Sequence, residues 1–103
     1  MITSFELKKI IEKWWTNLNS IQEIAETLDD IDIGDVVFRP WGDKDFYCAK
    51  SKNTITYIKT FQSLQRIENV HGEKVYPILD IYFNATKIKG RIIYKSVRCH
   101  VSC

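Results

Sequence analysis

Only four glycines and two prolines punctuate the 103 residues. Gly34, Gly42, Gly72 and Gly90 stand singly, as turn formers do, so there is no glycine-rich loop to cradle a phosphate. Cysteine is equally sparse. Cys48, Cys99 and Cys103 are an odd number, which suits a reducing compartment better than a disulfide framework. Cys99 and Cys103 are four strand steps apart, ~13 Å, beyond disulfide reach. No apolar run approaches the ~18 residues of a membrane span. Glu6, Lys8, Lys9 and Lys13 interrupt the start, where a secretory leader needs an unbroken apolar core. A cytoplasmic protein without membrane association is expected.

Metal ligands are few. Cys99, His100 and Cys103, with Cys48 elsewhere, form the only cluster of soft ligands. Zinc needs three or four ligands converging tetrahedrally, and neighbours on a strand point to opposite faces, so Cys99 and His100 do not meet on one ion. The stretch "DDIDIGD", Asp29 to Asp35, begins like a calcium loop. Gly34 stands where an oxygen ligand belongs, however, and Trp41 near where the bidentate Glu belongs. The stretch reads instead as an acidic turn that ends a helix at Gly34. Nothing in the spacing links Cys48 to His71 or His100 as a nucleophile and its base. Asp80 and Tyr82 share a strand face and could line a pocket, although a solvated face or a structural hydrogen bond is the plainer reading. Neither a metal, a cofactor nor an enzymatic activity is expected.

What is present is ordinary globular material: 45% apolar and 27% charged residues, enough for one domain over residues 1–103 and too short for two. The net charge is only +2, but it is unevenly spread. Residues 1–35 carry −5, and residues 81–103 carry +5 with no acid among them. Such a dipole bears on partners and encounter rates rather than on fold.

Residues 74–101, "KVYPILDIYFNATKIKGRIIYKSVRCHV", are the longest β-prone run and predict two long antiparallel strands. Ile88, Ile92 and Tyr94 share one parity, whereas Val97, Cys99 and Val101 share the other. A bulge near Lys95-Ser96, or burial on both faces, would reconcile them. Upstream, Leu7, Ile11, Trp14, Leu18, Ile21, Ala25 and Leu28 recur at helical spacing. Capping boxes at Thr3/Glu6 and Ser20/Glu23 divide the stripe into helices over about 4–17 and 21–29. Trp14 lies in the stripe and is expected to be buried, with Trp15 partly exposed at its flank. Val36–Arg39 and Phe46–Ala49 predict short strands flanking "PWGDK" as a hairpin tip. Thr54–Phe61 suits strand or helix and is read as strand. Leu64–Val70 and Val75–Phe83 follow as strands across a tight turn at His71–Glu73, with Pro77 at a strand start, an edge or a bulge.

The expected fold is α+β: two N-terminal helices on a curved, mainly antiparallel sheet of five to six strands. That order is similar in topology to the cystatin-like and nuclear-transport-factor-2-like folds. The likeness is one of topology alone and assigns no site residue.

The function expected is that of a non-enzymatic binding protein that occludes a macromolecular partner, most simply another protein. A toxin-immunity protein and a phage-encoded inhibitor are examples, and the Ile-, Lys- and Asn-rich composition resembles that of mobile elements. The partner site is expected at Trp41 and Arg39, with Asp43 and Lys44 on its rim and Trp15 as a further exposed aromatic. One alternative is nucleic-acid binding through Lys87, Lys89, Arg91 and Lys95 on one strand face, with Tyr94 and Tyr57 to stack. Another is a small-molecule pocket under the curved sheet.

Overall fold

The structure, a computed structural model, describes residues 1–18, 20–26, 29–41, 46–50 and 54–103, the side chains of 46–50, 96 and 97 excepted. Helix α1, Ser4–Thr16, starts where expected. The Thr3 hydroxyl accepts the Glu6 amide, and the Glu6 carboxylate accepts the Thr3 amide in return. The helix ends at Asn17, and α2, Ile21–Glu26, opens with the Ser20 hydroxyl accepting the Glu23 amide at 3.3 Å. Leu28, the last residue of the predicted stripe, lies outside the described residues.

"DDIDIGD" is not the end of a helix. Strand β1, Ile31–Ile33, pairs with β2, Val36–Pro40, across a two-residue turn with Gly34 at φ 63°. Ile31 and Ile33 are buried and Asp32 is exposed, so the period of two begins four residues earlier than the sequence reading placed it. Strand β3, Phe46–Lys50, does not form a hairpin with β2. Both pair antiparallel with β4, Thr54–Ser63, and therefore run in the same direction, end to end along one side of it. Trp41 carries the β2 pairing one step further by donating its amide to the Thr60 carbonyl at 2.9 Å. It stands at a sheet edge, not at a hairpin tip. Gly42, Asp43, Lys44 and Asp45 lie outside the described residues.

The strand expected over Leu64–Val70 contracts to β5, Ile67–Glu68, which pairs with β6, Lys74–Val75, as a separate small ribbon. Ser63 still belongs to β4, and Leu64–Gln65 bend away from it, with the Ser63 hydroxyl and the Gln65 backbone bonding to each other. Gly72, at φ 76°, turns the chain between β5 and β6. The ribbon closes one end of the molecule, where the Glu68 amide donates to the Ile2 carbonyl at 3.0 Å. Pro77 is buried just ahead of β7, Ile78–Ile88, so its missing amide costs no ladder bond.

Strands β7 and β8, Arg91–Ser102, are the two long strands predicted, joined by Lys89-Gly90. Tyr82 opposes Arg98 and Phe83 opposes Ser96, which leaves Val97 as the extra residue of a bulge, next to the predicted Lys95-Ser96. The main sheet runs β1-β2-β4-β7-β8, with β3 beside β2 on β4, and curves into a half-barrel. Leu7, Ile11 and Ala25 of the helices meet Phe38, Phe61, Leu79, Ile81 and Phe83 on its inner face. The three phenylalanines are fully buried and fill the space beneath the middle strands. At ~1.5–3 kcal/mol per buried apolar side chain, these residues dominate the stability of the fold.

Two tethers place α2. The Lys59 ammonium, buried within the sheet's inner face, donates to the Ala25 carbonyl near the end of the helix at 3.1 Å. Gln22 lies along the outer edge of β8, where its Nε2 donates to the Ile92 carbonyl and its Oε1 accepts the Tyr94 amide, both at 3.0 Å. The side-chain amide thus satisfies the edge as a neighbouring strand would.

Candidate functional site

The helices cover one side of the sheet only. Pairing registers put Thr54, Thr56, Ile58, Thr60 and Gln62 of β4 on the opposite, outer face, beside Ile78, Asp80, Tyr82, Asn84 and Thr86 of β7. All ten are half-buried, and among the described residues no element packs over them. The face is tied together laterally. The Thr56 hydroxyl donates to Asn84 Oδ1 at 2.9 Å, and the Thr60 hydroxyl to Asp80 Oδ1 at 2.8 Å. The bond between Thr60 and Asp80 is the structural role that the shared strand face suggested for the aspartate.

The bulge at Val97 decides what borders this face on the β8 side. Lys95 opposes Asn84, and after the extra residue Arg98 opposes Tyr82 and His100 opposes Asp80. The register shift therefore aligns Lys95, Arg98 and His100 on the outer face. Without it, Arg98 and His100 would turn inward and Cys99 outward. The Arg98 guanidinium lies over the Tyr82 ring, 4.2 Å from its centroid. On the opposite border, Arg39 opposes Gln62 and Trp41 follows at the same parity. Trp41 is 56% exposed. Arg39 is exposed and only loosely engaged, 3.9 Å from the exposed Asp30 carboxylate.

Of the predicted partner residues, Arg39 and Trp41 thus stand together at the margin of the open face, and Asp43 and Lys44 lie outside the described residues. Trp15 does not join them. It packs half-buried on the helical side, its ring centroid 6.0 Å from that of Trp14, and lines a cleft of about 420 Å³ with Ile11, Glu12, Cys99 and Val101. Trp14 is half-buried rather than buried: α1 touches both outermost strands, β1 and β8, and Trp14 flanks a groove on the β1 side. Trp14 walls a groove of about 490 Å³ with Ile10, Leu18 and Ile33, with Lys13 and Asp32 at its rim.

The four basic residues expected on one strand face do not share it. The turn at Lys89-Gly90 divides them between two strands: Lys87 opposes Ile92, Arg91 opposes Ile88, and Lys95 opposes Asn84. By alternation Lys87 faces inward and Arg91 and Lys95 face outward. Tyr94 and Tyr57 are not on the outer face with them. Tyr94 meets the Phe83 ring edge-on at 6.2 Å on the inner face, and Tyr57 opposes Phe83 there. Arg98, which was not among the expected site residues, and Tyr82, expected only to share a face with Asp80, hold the outer positions. Their signal was the parity switch itself, which re-aims every residue beyond it.

Cys99 and His100 point to opposite faces, as expected of strand neighbours. Burial, aided by the Asp80 carboxylate, pushes the Cys99 thiol up from its ordinary 9.0 to about 12, so it is a poor nucleophile and a poor metal ligand. Among the described residues no group of three His, Cys, Asp or Glu side chains is placed to hold a metal ion, and no helix is long and apolar enough to cross a membrane. No known protein family, curated protein or solved structure matches the chain.

Proposed function

We propose that this chain is a non-enzymatic binding protein that occludes a protein partner with the outer face of its sheet. The observation that carries the reading is an open sheet face bordered by an exposed tryptophan. Its composition suits a protein surface: apolar Ile58, Ile78 and Tyr82, neutral hydrogen-bonding Thr56 and Asn84, and charges of both signs in Asp80, Arg98 and Arg39. Nine paired positions on β4 and β7, with their flanking strands, make an area of roughly 600 Å², close to the ~800 Å² per partner of a standard interface. Trp41 and Arg39 supply the residue types richest in binding energy. Immunity to a toxin and inhibition of a host enzyme both operate by occlusion of this kind and require no chemistry from the binder.

The test needs a partner, which affinity capture from the source cells followed by mass spectrometry supplies. Trp41→Ala then weakens that complex by at least ~2 kcal/mol, about 30-fold in Kd, while Tm stays within a degree or two of wild type. Trp15→Ala, on the opposite side of the sheet, leaves Kd unchanged. A Trp41→Ala protein that melts well below wild type would show the ring to be part of the core, and the proposed interface would be withdrawn.

A further inference from the structure

The end of the molecule away from the β5–β6 ribbon carries a second feature, independent of the outer face. The last β4–β7 pair is Thr54 with Thr86, but β7 and β8 continue together through Lys87/Ile92 and Ile88/Arg91 to the turn. Among the described residues no strand pairs with this ribbon beyond Thr86, Gln22 of α2 reaches it only at the Ile92 carbonyl, and all six residues of its tip, 87–92, are exposed. Ile88 and Ile92 are 51% and 49% exposed, large apolar side chains left half in solvent. Each face of the ribbon carries one cation and one isoleucine: Lys87 with Ile92, and Arg91 with Ile88. Lys89 stands at the apex. No acid occurs between Ile81 and Cys103, and Glu26, in the cleft beside Arg91, accepts a hydrogen bond from Gln22 at 2.7 Å.

The apex residue is telling. Lys89 has φ 49° and Gly90 φ 79°, the two left-handed positions of a tight hairpin turn. Asn-Gly is the pair such turns favour, and a lysine there sits in a conformation costly to ordinary side chains. A cation thus stands at the foremost point of the ribbon against the preference of the turn.

We propose that the tip of the β7–β8 hairpin docks in the major groove of duplex DNA. That groove is ~12 Å wide and ~8.5 Å deep and admits a two-stranded ribbon, and the tip projects roughly 10 Å past Thr86 at ~3.4 Å per residue. Phosphates line both walls of a groove, so cations on both faces and at the apex meet charge on every side, while the isoleucines find thymine methyl groups on its floor. A membrane surface fits the layout less well. Lys89 would enter first and the isoleucines would trail behind the charges. An acidic protein face would engage one side of the ribbon and leave the other cations unmatched.

The experiment is fluorescence anisotropy of a labelled 20-base-pair DNA duplex titrated with the whole chain. With Lys87, Lys89 and Arg91 each on a phosphate, affinity falls about 40-fold between 50 and 200 mM monovalent salt. Lys89→Asn, which keeps the turn, lowers the logarithmic salt slope by about one, and Lys87→Ser/Lys89→Asn/Arg91→Ser removes most binding at 50 mM. A duplex RNA of the same sequence, whose major groove is too deep and narrow for side chains to read, binds more weakly. Any of four results overturns the proposal: no binding to the DNA duplex at 50 mM salt, binding unchanged in the triple variant, equal affinity for duplex RNA, or binding to phosphatidylserine vesicles without binding to DNA. Lys89→Asn decides the matter even if the triple variant fails to fold, because a salt slope unchanged from wild type likewise overturns the proposal.

Discussion

Two side chains on the inner face of the sheet show how local surroundings set chemistry. Cys99 keeps its proton to about pH 12 in the folded chain, whereas the unfolded chain releases it near its ordinary 9.0. The folded state therefore holds the proton more tightly, and stability falls as pH climbs through that interval. Urea melts at pH 8 and pH 10 show the loss, and alkylation of Cys99 by iodoacetamide at pH 8 runs roughly a hundredfold or more slower in the native chain than in urea. Lys59 is a polar end held in the interior, where its Nζ donates to the Ala25 carbonyl. Lys59→Met keeps the apolar stem and removes the donor, and a cost of about 1–3 kcal/mol in a urea melt is expected. A variant as stable as wild type would mean that desolvating the charge offsets the bond. Neither environment was legible in the sequence, where Lys59 is one cation among many and Cys99 one of three thiols. Thr3 with Glu6 was legible because both partners of that cap lie within four residues. The partial exposure of Trp14 was not, since it depends on how α1 comes to rest between β1 and β8.

Among the elements, what could be read was what the chain settles locally. The β7 and β8 strands follow from density of Ile, Val, Tyr and Phe, and the bulge follows from a switch of parity within one strand. Pairing between distant segments left no such trace. Val36–Pro40 and Phe46–Lys50 have the look of a hairpin across Pro40 and Gly42, yet both spend their hydrogen bonds on β4. This is why Trp41 moved from a tip to a margin while keeping the exposure expected of it. The turn at Lys89-Gly90 divided a basic row that looked continuous. That turn also offers a direct measurement. Lys89→Asn places a residue suited to positive φ at the first left-handed position and should raise stability by about 0.5–1 kcal/mol in a chemical melt. A loss of stability would mean that the lysine contributes contacts at the tip which outweigh its backbone cost.

Over the whole molecule, 48 × 24 × 20 Å, the basic hairpin occupies an end, and the acids of residues 1–35 are spread over α1, α2 and the segment from Asp29 to Asp35, with Glu26 sharing a cleft with Arg91. Long-range attraction will therefore orient the protein toward a charged partner before contact, an effect that weakens as salt shortens the ~8–10 Å screening length. Both helices rest on β8: Gln22 of α2 grips its edge, and α1 contacts it through the turn that carries Ile11 and Trp15. Yet β8 is last of these elements along the chain, and the helices are first. On a ribosome adding ~5–20 residues per second, α1 and α2 emerge several seconds before the strand they need. Throughout that interval Leu7, Ile11 and Ala25 have no completed sheet to cover them. The growing chain passes through a stage in which its helices are exposed to whatever chaperone or stray hydrophobic surface is nearest, and the dozen residues of β8 end it.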